Sequence, residues 1–510
     1  MHGSDASTVR RWSLLDIVEA LGVAVYGDVA DDAQLEATLL GAEGRGAAVS
    51  IDTRTVRSGD LFVALQGTNS HGLEHAQAAF AAGAAAVLVG TDLELDDERW
   101  EQLLHAASQH GPVLVATDCD GVTALGRLAR AWRRRARWRV VGITGSSGKT
   151  STKDLLAAVL HRSGITVLAS HANWNNEIGV PLTLLAAGDE VDVVICEMGM
   201  RGPGQIAWLC DVADPDIGIV TTAGSAHLEL LGSLEAIVAA KAELLTHTWA
   251  GGVGIFPGNQ PELVASATRV PDRLLPFGMG EEEAEDAAVL VTSVARSERG
   301  IAGTIDLMGH EFAFDLPVHG MHQARNLAAA AAALVSLRGS AALLADDAFL
   351  LDDDVTFTAG RGQRARTADG GVVIDDAYNA NPESMRAALD ELSSIDAPRR
   401  VAVLGRMAEL GRGSTTLHLQ VGMHAGQLDR VDELVLVGGA SDDDLDALAT
   451  GWHRARRRHP LRFDGVDAAL DALDTWRATG DAVLVKASNS SGLGRLARVL
   501  VERIGGGVAP

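Results

Sequence analysis

The sequence predicts an α/β protein of three domains: a small N-terminal α/β domain over residues 1–137, a central P-loop-type domain on a parallel sheet over 138–354, and a C-terminal Rossmann-like domain over 355–510. Three observations carry this expectation. At 510 residues the chain exceeds what one hydrophobic core usually organises. Short apolar runs rich in β-branched residues alternate with helical patterns, as parallel strands covered on both faces do. Glycine-rich or polar turns follow those runs repeatedly, at the strand ends where open parallel sheets bind ligands.

In the first domain, residues 48–65 (AVSIDTRTVRSGDLFVAL) and 86–90 (AVLVG) read as strands around the alanine-rich helix HAQAAFAAGA, and PVLVA adds another. The basic run RLARAWRRRARWR, residues 127–139, reads as a solvated helix leading into the next domain. RVVGIT, ITVLAS, VDVVICEM and DIGIVT then supply parallel strands, with STKDLLAAVLHR and SLEAIVAAKAELL as helices between them. Around 284–318 the period shortens to two, which predicts an antiparallel annex, and an alanine-dominated helix follows over 323–337. The acidic tract LADDAFLLDDDV, residues 344–355, marks the next boundary. GGVVIDDAYNANP, RRVAVLGRM, ELVLVGG and DAVLVKAS complete a second doubly wound sheet.

Composition removes several function classes. The chain is 47% hydrophobic and 22% charged, and no apolar run reaches the roughly 18 residues of a spanning helix. The first residues lack the apolar core of a secretory signal, so the expectation is a cytoplasmic protein without stable membrane insertion. A net charge of -25 repels polyanions and argues against nucleic acid as a partner. Cys119, Cys196 and Cys210 are scattered without metal-ligand spacing. Of 43 basic side chains only Lys149, Lys153, Lys241 and Lys486 are lysines. Where arginine is otherwise the rule, a lysine marks a place that needs a compact or titratable amine.

The chemistry-bearing motifs lie at strand ends. In GITGSSGKTS, Gly145, Ser146, Ser147 and Gly148 form a loop whose amides curl around phosphate, backed by the N-terminus of a helix. Lys149 would neutralise the phosphates of ATP, and Thr150, followed by Ser151, would offer a hydroxyl to magnesium. The loop departs from the usual spacing, with Ile143 in the place of its first glycine. Glu197 ends a buried strand, where a carboxylate needs a cation, and magnesium takes such hard oxygen ligands. His227 stands at the next strand end. For Lys241, on a helix otherwise apolar on that side, two readings stand: an amine made nucleophilic by burial, or a side chain that snorkels to the surface. His322 and Asn326 share one helical face and either bind a base edge or cap the helix. Asp375 and Asp376 leave a strand ahead of Asn381 and Pro382, an N-cap and first helical residue, and Asp376 with Tyr378 are ligand candidates.

Taken together, GITGSSGKTSTKD, NWNNEIGVPLTLL, EMGMRGPGQI, AHLELLGSLEAIVAAKAELL, HQARNLAAAAA and DDAYNANPESM resemble the Mur ligases of peptidoglycan synthesis, along essentially the whole chain. NNEIGVPLTLL and YNANPESM point to a member that adds D-alanyl-D-alanine. The resemblance implies an ADP-forming, ATP- and magnesium-dependent ligase. The terminal carboxylate of UDP-MurNAc-tripeptide, whose third residue is lysine or meso-diaminopimelate, takes the γ-phosphoryl group, and the amine of D-Ala-D-Ala displaces phosphate from the acyl phosphate. It further implies that Thr150 and Glu197 hold one magnesium, and that His227 with a carbamylated Lys241 serves another. His322 and Asn326 would meet the adenine region, Asp376 the ribose, and Arg361 the nucleotide. Ser50, Asp52, Thr53 and Arg54 would belong to the UDP-sugar site, Asn175 and Asn176 would lie near the uridine-linked substrate, and Tyr378, Asn379 and Asn381 would also contact substrate. The protein is expected to be a monomer. The chain departs from the family pattern at Arg406, at Asn489 and in His71-Gly72 with His75. Two alternatives accompany this reading: another Mur-type amide ligase, diaminopimelate-adding or folylpolyglutamate-like, and a catalytically degenerate binding paralogue.

Overall fold

The computed structural model describes residues 11–504 apart from 28–30, 41–45, 68–71, 92–96, 117, 225–227, 249–250, 284, 353–354 and 440. Three sheets organise the chain. The first has five strands in the order Ala24–Tyr26, Val113–Val115, Ala86–Val89, Leu61–Val63, Val49–Ser50, parallel except for Ala24–Tyr26. The third has six, in the order Gln363–Arg366, Val372–Asp375, Ala482–Lys486, Arg400–Leu404, Glu433–Val437, Leu461–Phe463, and only its first pair is antiparallel.

The central sheet has ten strands. Arg139–Thr144 lies between Val193–Glu197 and Ile217–Val220, parallel to both, and Val167–Ala169 forms one edge. The period-two stretch forms the expected antiparallel strands, and they extend the central sheet. Val289–Arg296 pairs parallel with Arg273–Met279 and then antiparallel with Ile301–Leu307, so the hairpins continue the same sheet. The acidic tract also carries structure: Phe349–Leu350 forms the far edge strand, and Arg162 bonds both Asp347 and Asp352.

The alanine-dominated helix has a packing reason. His322–Arg338, with Ala328 to Ala333 fully buried, packs against Lys149–Arg162, the helix that opens the phosphate loop. Small side chains let the two approach closely beneath the sheet. The basic helix Gly121–Arg135 is amphipathic rather than merely solvated. Trp132 is buried and donates to the Ala187 carbonyl, while Arg133 reaches the Ala213 and Asp214 carbonyls and the Asp216 carboxylate. Gly126 makes room for Trp208, since a Cβ there would lie 2.8 Å from the indole. This helix fastens the first sheet to the central one, and the two share one hydrophobic core.

Candidate active site

The strand Arg139–Thr144 delivers the loop, and two glycines give it its shape. Gly148 has φ +80, the left-handed region that side chains avoid, and a Cβ there would lie 2.5 Å from Asn326 Oδ1. At Gly145 a Cβ would fall 1.8 Å from Thr221 Oγ1. The next strand end holds the loop in place. Thr221 Oγ1 donates to the Ser147 carbonyl (2.5 Å), Ser147 N donates to Thr222 Oγ1 (3.1 Å), and Ser146 Oγ exchanges hydrogen bonds with Gly224. Lys149 Nζ donates to the Gly145 carbonyl at 2.6 Å, curling over the loop. Burial pushes its ammonium below the ordinary lysine value, opposed by Glu197 and assisted by Arg361.

Glu197 is 2% exposed, yet it does not stand alone. Thr150 Oγ1 donates to its Oε2 at 2.8 Å and Asn175 Nδ2 to its Oε1 at 3.0 Å. Its backbone N–H donates to Ser170 Oγ, and the Ser170 carbonyl in turn accepts from Lys153 Nζ at 3.0 Å. Arg361 extends a guanidinium N–H to Thr150 Oγ1 (3.1 Å) and stacks at 4.1 Å on the Tyr378 ring. A hydroxyl and a buried carboxylate in contact form a hard-oxygen pair that suits magnesium. Among the described residues no group of three His, Cys, Asp or Glu gathers at one point.

Lys241 settles between its two sequence readings in favour of burial. It is 1% exposed inside the helix Leu234–His247, without a hydrogen-bond or ion-pair partner among the described residues. Burial drives its amine well below the ordinary lysine value, and the charge of Lys149 pushes the same way. The charge of Lys149 therefore reaches Lys241. His227 lies outside the described residues.

Between the central and C-terminal sheets runs a cavity of about 230 Å³. Ser146, Ser147, Gly148, Lys149, Thr150 and Ser151 form one wall. His322 and Asn326 form the next, with Asn326 donating to Gln323. Arg361, Asp376, Asn379 and Asn381 come from the C-terminal part. Asn381 caps the helix Pro382–Ser394 and leans on the Ser146 carbonyl. Asp376 is fixed by Lys486, whose buried ammonium donates to its carboxylate at 2.5 Å and to the Asn379 carbonyl at 3.0 Å. Tyr378 lies outside this wall and acts on it through Arg361. Sequence reasoning passed over Thr221, Thr222, Ser170, His319 and Glu391. It singled out Lys153 and Lys486 as unusual but gave them no partner.

Other expected residues lie apart from this cavity. Ser50 ends a strand of the first sheet, and its hydroxyl pairs with Thr55. In the same turn, ahead of Thr53, Asp52 accepts from Arg54 through both oxygens, a contact that holds its carboxyl at about 2. Asn176 spends its side-chain oxygen on the backbone of Ile178 and Gly179, at the start of a buried helix.

Three stretches match one family: residues 47–132 its catalytic domain, 143–334 its middle domain, and 360–489 its glutamate ligase domain. The chain is also 37% identical over 459 residues to the UDP-N-acetylmuramoyl-tripeptide--D-alanyl-D-alanine ligase of Synechocystis sp., covering 89% of this chain and 91% of that one. The chain belongs to the Mur ligase family. Among solved structures this Mur ligase is similar to MurF from Acinetobacter baumannii, with TM-score 0.78, 25% identity and coverage of 97% of this chain and 100% of that chain. It is likewise similar to MurF ligase from Thermotoga maritima in complex with ADP, with TM-score 0.73, 25% identity and coverage of 90% and 99%.

Proposed function

We propose that this Mur ligase joins D-alanyl-D-alanine to UDP-MurNAc-tripeptide, with cleavage of ATP to ADP and phosphate. One observation carries the reading: the phosphate loop presents Lys149 and Thr150 beside a buried carboxylate, Glu197, with a second buried lysine, Lys241, near enough to feel the charge of Lys149. A site built this way brings anions together, and a phosphorylated nucleotide and a peptide carboxylate are two anions that must meet. The relatives it resembles bear that activity in their names.

In this mechanism the loop amides and Lys149 hold the β and γ phosphates, and Asp376, steadied by Lys486, takes the ribose. His322 and Asn326 face the base. The tripeptide carboxylate oxygen attacks the γ-phosphorus and the bond to ADP breaks. The amine of D-Ala-D-Ala then attacks the acyl carbon, loses a proton and expels phosphate. Arg361 approaches from the C-terminal side and helps spread the charge on the transferring group. Thr150 and Glu197 would hold magnesium, with His227 and a carbamylated Lys241 at a second ion, and the metal would supply charge neutralisation there. Ser50, Asp52, Thr53 and Arg54 would serve the UDP-sugar, Asn175 and Asn176 the peptidyl part, and Tyr378, Asn379 and Asn381 the substrate side of the cleft. Residues 1–137, 138–354 and 355–510 would thus bind UDP-sugar, ATP and amine in turn, in a monomer working in the cytoplasm. Among the described residues no helix is long and apolar enough to cross a membrane.

The test is incubation of purified protein with UDP-MurNAc-tripeptide, ATP and one amine at a time. The expected result is a product heavier by one D-Ala-D-Ala minus water, with ADP release that depends on the dipeptide. Phosphate release with glutamate or diaminopimelate alone would replace the reading.

A further inference from the structure

A second cavity, of about 390 Å³, opens at the seam between the basic helix and the central sheet. Val122, Pro203, Trp208 and Leu209 give it apolar walls. Of all its lining residues only Glu177 is charged. That carboxylate is exposed, and no hydrogen-bond or ion-pair partner meets it among the described residues. Its backbone is held firmly, because Asn176 beside it closes the turn onto Ile178 and Gly179.

The position of this cavity is informative. Gly199 forms part of its wall, and Gly199 N donates to the Asn175 carbonyl at 2.6 Å. A Cβ on Gly199 would lie 3.1 Å from the Asn175 amide, whose nitrogen donates to Glu197. One residue, Asn175, therefore separates the cavity from Glu197, the carboxylate proposed to hold magnesium where the phosphoryl group is transferred. On that reading the activated carboxylate belongs to the third residue of the tripeptide. The side chain of that residue starts from the adjacent carbon, so it must find room within one side-chain length of Glu197.

We propose that this cavity is the subsite for the third residue, with its methylene stem against Trp208 and Pro203 and its terminal ammonium received by Glu177. The substrate is otherwise anionic, through its diphosphate and carboxylates, and an isolated carboxylate repels those parts. A cavity with apolar walls and a single exposed acid in its lining selects a side chain with an apolar stem and a cationic end. Lysine and meso-diaminopimelate both supply that ammonium. No cation lines the cavity to hold the additional carboxylate of diaminopimelate.

The inference rests on the ligase reading, and the experiment separates the two. Wild type and Glu177→Gln are assayed with D-Ala-D-Ala, ATP and UDP-MurNAc-tripeptides ending in lysine, meso-diaminopimelate or norleucine, which keeps the stem and lacks the amine. The wild type is expected to use at least one amine-bearing tripeptide with a kcat/KM about 10-fold above norleucine, and the better of the two names the natural source. In Glu177→Gln that preference falls to near unity while the KM for ATP is unchanged. Equal use of norleucine by the wild type, or a preference that survives in Glu177→Gln, would overturn the subsite while leaving ligation intact. Failure of all three tripeptides would remove the ligase reading and this inference with it.

Discussion

Lys241 shows how much a functional site costs at a single residue. An amine that is fully buried and lacks a partner among the described residues destabilises the fold. Methionine matches the stem of lysine and carries no charge, so Lys241→Met is expected to raise stability by about 1–3 kcal/mol while abolishing ligation. The sign with pH follows from the lowered value. The unfolded chain binds the proton more tightly, so wild-type stability rises as pH climbs from the depressed value towards the ordinary 10.5, and Lys241→Met removes that slope. Urea unfolding at several alkaline pH values measures both effects. If the amine acts as a carbamate, Lys241→Ala also loses ligation, and added formate or acetate restores part of it. A variant with no loss of ligation would exclude Lys241 from the chemistry.

At the scale of the element, the loop between Arg139–Thr144 and Lys149–Arg162 depends on backbone conformations that only glycine adopts easily. Gly148→Ala places a methyl against Asn326 in a left-handed backbone, so about 1 kcal/mol of stability is lost and the KM for ATP is expected to rise by about tenfold. Calorimetry and initial rates test this together, and an unchanged KM would show that the loop does not grip the nucleotide. The same elements show what a sequence can and cannot reveal. Strands and turns were legible because apolar runs and glycine are local signals. The Asn381 cap was legible because Asn-Pro is a local rule, and it is where the helix begins. Partnerships across sequence left no such trace. Lys486 meets Asp376 over 110 positions, Lys153 reaches Ser170 at the back of Glu197, and Arg133 crosses 83 positions to Asp216. Composition flagged the two lysines as unusual, but only packing supplies their partners. The antiparallel hairpins were legible because period two reports half-exposed strands, but nothing in that period says which sheet they extend.

For the whole molecule, the mouth of the nucleotide cavity is also a joint. Arg296 and His319 come from the central part, Arg364 and Glu391 from the C-terminal part. The single carboxylate of Glu391 receives Arg296 at 3.2 Å and pairs with Arg364 as well. His319 faces both arginines, and burial, reinforced by their charge, pushes its imidazole down to about 4. Protonating it would put a third cation beside one anion. The free histidine of an unfolded chain takes up its proton near 6.5, so the unfolded state binds more protons between that value and about 4. Stability of the joint is therefore full above 6.5, falls as the solution is acidified through that window, and levels off below it. His319→Asn keeps a polar side chain without the titration and is expected to flatten this acid limb. Glu391→Gln weakens the joint at every pH, because two arginines lose their shared partner. The measurement is the pH dependence of the unfolding transition in which the central and C-terminal parts separate, followed with and without an ATP analogue. Nucleotide seated in the cavity contacts both sides of the joint, so the analogue shifts that transition upward in the wild type. An acid limb of equal depth in wild type and His319→Asn would assign the loss to carboxylates elsewhere and leave the joint without a histidine switch.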